Sequence, residues 1–409
     1  MARRLPIALL LAAAVSRGGW APDSPILRVG DDLDVYFTTR ARVEYNSNIF
    51  LGNSAGLPNS GASWTVGPGF SADFFKESMF SSSLSWRRDL VRYFDSALKG
   101  LHDDQDIGGA SVTYDGGGPL TLQLAANYGE GSSNRAEGDV TTTTLFDPSG
   151  TLLRQTNYSQ SATLGYRLTE KLNLSLVASH ASNRYDPLDK VNPAFAGEKN
   201  TEGLTESEGW SFPLSLKYAV GSRLSIGLSY EHGHTNVRNA RGSSGTTARP
   251  GFTKDFYGVT LSGQPTSSGK LDVVLKGGVL RSVFDGGLDA SSKPSYSATL
   301  THTLTEKTNH SLSLRNDATV AINGSRNETQ AANYTLNYAV TESFRASASV
   351  GMSLNKVGVT DIRSGSFGLN ATLTPDSHWT YVASYALTQS YRPNSYDAHQ
   401  FSLEANLRW

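Results

Sequence analysis

From Leu33 to the end of the chain, apolar and polar residues alternate with a period of two in segments of about 10 residues, and no helical stripe of useful length interrupts them. In the first segment Val35, Phe37, Thr39, Ala41, Val43 and Tyr45 share one face, and Tyr36, Thr38, Arg40, Arg42 and Glu44 share the other. Successive strand side chains point to opposite sides, so such a segment can meet lipid on one side and water on the other. The rhythm recurs at Leu120, Leu122, Leu124, Ala126 and Tyr128, at Leu224, Ile226, Leu228 and Tyr230, and at Phe401, Leu403, Ala405, Leu407 and Trp409.

The connections alternate between short and long. Short ones fall at Phe75 to Met79, Asp115 to Pro119, Thr169 to Lys171, Val220 to Arg223, Gly263 to Gly269, Thr305 to Thr308, Thr341 to Ser343 and Thr374 to His378. Between them lie longer polar stretches, notably Gly129 to Gln155, Ala181 to Glu206 and Gly233 to Gly251. Eight short turns make eight hairpins, and the first and last strands bring the expected total to about 18. The fold class is therefore all-β: a transmembrane antiparallel up-and-down barrel with short periplasmic turns and long extracellular loops.

Aromatic residues sort themselves by turn type. Phe74, Phe80, Tyr166, Tyr218, Tyr338, Phe344, Trp379 and Trp409 lie beside short turns or at the C-terminus, whereas Tyr45, Trp64, Tyr128, Tyr158, Trp210, Tyr230 and Tyr385 lie near the long loops. Two such belts are what the two membrane interfaces select.

Composition agrees with a strand-rich chain: 409 residues hold 40 Gly, 18 Tyr and 16 Phe but only 3 Met and no Cys. The lack of Cys excludes disulfides, thiolate nucleophiles and Cys-ligated metals. A net charge of -1, from 36 basic and 37 acidic residues, gives no field suited to nucleic acid. Residues 1–21 read as a signal peptide, with Arg3 and Arg4 ahead of the apolar run Leu5 to Val15. Residues 22–32 then form a short periplasmic segment, too brief for a globular plug, and 33–409 form the barrel.

Opposite the lipid set, the faces are rich in Ser, Thr, Gly and Asn, as in Ser81, Ser83 and Ser85 or Thr299, Thr301 and Thr303. That describes a wetted wall, and barrels of this size enclose aqueous channels. The same face carries the candidate pore-lining charges Arg40, Arg42, Glu44, Arg87, Asp89, Arg167, Lys217, Glu231, Asp272, Lys276, Arg315, Asp317, Arg345, Glu404 and Arg408. Their near balance predicts a weak ion preference, and two roles stay open for them: rings that set selectivity, or pairs that hold the wall in register.

Catalytic constellations do not emerge. His180, His232, His234, His302, His310, His378 and His399 lack metal-ligand spacing, and no nucleophile elbow or phosphate loop occurs. Asp186 and Asp189 are too few oxygens for calcium. No enzyme activity and no cofactor is expected. The stretch Gly129 to Gln155, with Asp147-Pro148-Ser149-Gly150 at its centre, reads as a hairpin that stands above the wall or folds into it.

Tyr45-Asn46-Ser47-Asn48-Ile49-Phe50 resembles the Tyr-x-Asp-Asn-Ile-Phe signature of the outer-membrane β-barrel porin 2 family, with Ser47 where the family usually has Asp. Length, motif position and strand rhythm are also similar. The resemblance implies a barrel associated with exopolysaccharide export, with periplasmic export components as partners. The bilayer and, through the last strand and Trp409, the barrel-assembly machinery are expected partners too, although Phe is the commoner final residue. Three functions follow in order: a conduit for a polysaccharide or similar polar polymer, a passive diffusion porin for small hydrophilic solutes, and a non-conducting structural barrel.

Overall fold

A computed structural model describes residues 25–30, 32–49, 60–76, 78–96, 98, 103–133, 153–186, 205–239, 251–285, 290–320, 326–357, 360–392 and 395–409. The signal segment 1–21, Phe50, Asp189 and the centre of the Gly129 to Gln155 stretch lie outside these residues.

Eighteen long strands, β2 (Leu33–Asn46) to β19 (Tyr396–Arg408), each pair antiparallel with the next. The last returns to the first, from Gln400↔Asn46 to Arg408↔Thr38. The cylinder is therefore closed, so the long strands have no free edge across the lipid and their backbone is satisfied without water. All eight short connections fall where the turn residues place them, for example between β3 (Gly61–Phe74) and β4 (Phe80–Tyr93) and between β13 (Ser291–Thr305) and β14 (Thr308–Val320).

Pairing fixes the faces. Val43 stands opposite Trp64 on one side and Leu403 on the other, and Phe37 opposite Phe70, so the apolar set of each strand joins that of its neighbours. This set looks outwards: Met352 is 72% exposed, Leu403 67% and Leu228 63%, values that no packed core would tolerate. An apolar exterior this continuous requires lipid around it. The aromatic belts appear as tilted ring pairs, such as Phe80 with Tyr114 near the short turns and Tyr385 with Phe401 near the long loops, each with ring centroids 4.7 Å apart.

Strand spacing and the usual tilt give 18 strands a diameter of about 35 Å, backbone to backbone. Side chains from opposite walls cannot meet across that width, and inward-facing Phe256 and Leu280 are a local apolar pair on one wall.

Two expectations need correction. The segment 22–32 contains a short strand, β1 (Leu27–Val29), paired with the start of β2 from Leu27↔Val35 to Val29↔Leu33. Three residues are too few to show a period; the strand exists because β2 extends past the end of β19 and leaves backbone groups to fill. Phe37 and Trp409 exchange both backbone hydrogen bonds, at 2.6 and 2.8 Å, just above that point. Second, the long loops are shorter than their polar sequences suggest: β8 (Leu172–Asp186) and β10 (Leu224–Asn239) run on, and β9 (Thr205–Ala219) begins at the edge of the stretch assigned to a loop. Beyond the lipid a strand is polar on both faces and loses its alternation, but its ladder continues.

Candidate functional site

Every one of the fifteen candidate charges lies on the inward series of its strand. Arg40, Arg42 and Glu44 alternate with the outward Ala41 and Val43 on β2, and Lys276 alternates with outward Leu275 on β12 (Leu271–Phe284). Their partners divide them into two populations.

The first population lies at the seam where β19 meets β2. Arg40 reaches Glu404 of β19 at 2.6 Å and Asp89 of β4 at 3.1 Å, so one guanidinium spans four strands. Arg87 holds the other oxygen of Asp89 at 2.7 Å, Arg42 pairs with Glu44, and Arg408 reaches Asp73 of β3 at 2.6 Å. The Arg408 guanidinium also lies 3.9 Å from the centre of the Tyr36 ring.

Arg40 can cross β3 because Gly67-Pro68-Gly69 leaves that strand without side-chain bulk on the inner face. A Cβ on Gly67 would sit 1.9 Å from Asp89 Oδ1, and the β3–β4 pairing skips from Val66↔Leu90 to Gly69↔Arg87, where Pro68 has no N–H to give. Asp89 is only 1% exposed. A carboxylate that dry persists because two arginines hold it.

Below the seam, Arg28 of β1 holds Asp34 at 2.8 Å, and Lys76 of the turn after β3 joins the same carboxylate. Hydrogen bonding to Asp34 keeps the Lys76 ammonium above the ordinary lysine pKa.

The second population lies on the wall from β7 (Leu153–Arg167) to β16 (Phe344–Val357). Glu231 is paired with Lys254 of β11 (Phe252–Gly263) at 2.7 Å, and Lys276 lies over the Phe256 ring at 4.3 Å. Arg167, Lys217, Lys276, Arg315 and Arg345 have no ion-pair partner among the described residues. Asp272 and Asp317 face inwards on β12 and β14. Sequence reasoning missed Lys254, which lies on the inner face of β11, opposite Gly233 and beside Glu231.

The Tyr45 to Ile49 stretch serves the seam. Asn46 Oδ1 accepts from Asn48 N at 2.9 Å, Ser47 Oγ accepts from His399 N at 2.8 Å, and Asn48 donates to Asp397 O at 3.2 Å. Ile49 is buried at 2% exposure. These contacts tie the long-loop end of β2 to β19.

Among the described residues, histidines are kept off the inner face. His180, His232, His234, His302, His310 and His399 all fall on the outward series. His180 joins Glu208 at 3.1 Å and packs on Trp210 at 4.3 Å, while His378 sits in a short turn against Trp409. Among the described residues, no three metal-ligating side chains gather.

A closed 18-strand antiparallel barrel with an apolar exterior and a polar, charge-studded interior is the porin architecture. No protein-family model and no curated protein matches the sequence. Solved structures do match. The chain is similar over 93% of its length to a BenF-like porin from Pseudomonas fluorescens Pf-5, covering 99% of that chain with a TM-score of 0.51 and 11% identity. Pseudomonas aeruginosa OpdO gives the same TM-score and identity over 98% of its length. OpdQ of the same species is covered completely, with a TM-score of 0.50 and 13% identity. The chain spans only 63% of the FrpB iron transporter of Neisseria meningitidis, at a TM-score of 0.48. At such identities the likeness is one of fold.

Proposed function

We propose that this chain is a diffusion channel for small hydrophilic solutes, seated in the outer membrane of a Gram-negative-type bacterium. The observation that carries this reading is the wall itself: apolar outwards, and inwards lined by Ser, Thr, Asn and charged residues around a width that side chains cannot fill. The fold is similar over nearly full length to a protein described as a BenF-like porin. In this reading residues 1–21 direct export, 22–32 lie on the periplasmic side with the short turns, and the strand ending at Trp409 meets the assembly machinery.

Polysaccharide export, placed first on the sequence resemblance, becomes the second reading, since no family model supports that resemblance. The hydroxyl-rich lining serves a sliding glycan and a small solute equally.

Planar-bilayer recording of the purified protein tests the channel, with stepwise conductance expected. A deletion strain scored for solute uptake and for surface polysaccharide separates the readings. Slowed uptake with intact polysaccharide supports diffusion; lost polysaccharide with normal uptake overturns it.

A further inference from the structure

The register aligns inward positions of neighbouring strands into transverse rows, and one row is distinctive. It runs Arg167↔Asn173↔Lys217↔Gly227↔Thr260↔Lys276↔Ser297↔Arg315, through eight consecutive strands from β7 to β14. Four of its members are cations and none is an acid.

The row climbs as it goes round. Arg167 is the final residue of β7 at the short-turn end, Lys217 is two residues from Ala219, Lys276 five from Leu271 and Arg315 seven from Thr308. Strand spacing separates consecutive cations by about 10 to 14 Å along the row. An anion midway between two of them is about 5 to 7 Å from each, inside the screening distance of about 8 Å at physiological ionic strength, so a small anion leaving one cation enters the field of the next.

We propose that Arg167, Lys217, Lys276 and Arg315 form a basic ramp from the short-turn mouth to mid-lumen that guides small oxyanions, solutes carrying carboxylate or phosphate groups, and makes the pore anion-selective. The inference rests on the channel reading and names its substrate class.

Overall charge balance hides this asymmetry. At the seam, Arg40, Arg42, Arg87 and Arg408 are each bound to a carboxylate. Glu231, which faces inwards two strands from Lys276, is held by Lys254. The ramp cations are without ion-pair partners among the described residues, and Arg167, Lys217 and Arg315 are exposed to the lumen. Asn173, Thr260 and Ser297 stand between them as neutral hydrogen-bonding groups that an oxyanion can exchange in passing. Gly227 leaves a gap in the row over which the Lys217 stem lies, within 3.1 Å of where a Cβ would be.

The test is the reversal potential of single pores under a KCl gradient, followed by one-sided addition of succinate or inorganic phosphate. The native pore should favour chloride over potassium, and either oxyanion should interrupt the chloride current. Combined Arg167→Gln, Lys217→Gln, Lys276→Gln and Arg315→Gln should lower the chloride preference severalfold and abolish the interruptions. Lys217→Arg with Arg315→Lys should retain both. Should the fourfold variant fail to assemble, Lys217→Gln and Arg315→Gln singly should each produce a graded part of the shift. Pores that favour potassium, or whose preference is unmoved by these substitutions, overturn the ramp while leaving the channel standing. No pores at all would overturn the channel reading itself.

Discussion

Arg40 and Glu404 meet across the closure of the barrel, Nη2 to Oε2 at 2.6 Å, although 364 positions separate them in the chain. The same guanidinium reaches Asp89 through the gap left by Gly67 and Gly69, so the first, third and last long strands share one ionic knot. The knot lies across the closure of the barrel, where the first and last long strands meet.

Arg40→Gln should leave Asp89 and Glu404 short of a partner in a poorly hydrated site. Breaking a buried pair from one side costs about 3 to 5 kcal/mol. Urea titration of the micelle-bound barrel, followed by tryptophan fluorescence, should show a lowered midpoint. Gly67→Ala should fall with it, because its Cβ meets Asp89 Oδ1 at 1.9 Å. An unmoved midpoint in both variants would remove the knot from any account of stability.

Leu314 and Ser313 are neighbours on opposite faces of β14, with Leu314 opposite Ala298 and Ser313 opposite Thr299. Leu314→Arg places a cation against lipid and should cost about 2 to 4 kcal/mol near the midplane. Ser313→Arg enters the lumen, where folding should be spared and conductance altered. Comparing heat-modifiable mobility of the two variants checks the assignment; equal damage would contradict the faces.

Topology can be read with epitope tags. Gly131 to Ser133 belongs to the end of β6 (Leu120–Ser133), so the outer tag belongs between residues 134 and 152. Antibody should reach it on intact cells and should reach a tag at Glu306, in the short turn after β13, only after permeabilisation. Surface labelling at Glu306 would invert the barrel.

Conductance should be nearly flat from roughly pH 5.5 to pH 8, the window in which histidine alone ordinarily titrates. Among the described residues no histidine faces inwards, and the lumen charges are Arg, Lys, Asp and Glu. Recording one pore while the bath is titrated is sufficient; a steep step in that window would contradict this account of the lining.

Much of this architecture is legible along the chain. The sequence Val35, Phe37, Ala41, Val43, Tyr45 already states that β2 has a dry side, and Thr305 to Thr308 already states where two strands turn. Even the inward placement of all fifteen charges follows from counting by two. The missing elements were those with little local signal: β1 is three residues long, and the outer ends of β8 and β10 are polar on both faces. Gly67-Pro68-Gly69 in mid-strand was a visible mark of a close approach, but nothing nearby told what approached.

By itself, then, the sequence determined strands, faces, turns and the closed class of the barrel, because period and turn chemistry are properties of adjacent residues. Tertiary structure alone decided which charges are tied and which are not. Arg40 and Lys217 look alike in a list of inward cations, yet one is clamped between two carboxylates and the other stands in a row with no acid. That distinction depends on the register of each strand pair, accumulated around the whole cylinder, and no local pattern encodes the sum.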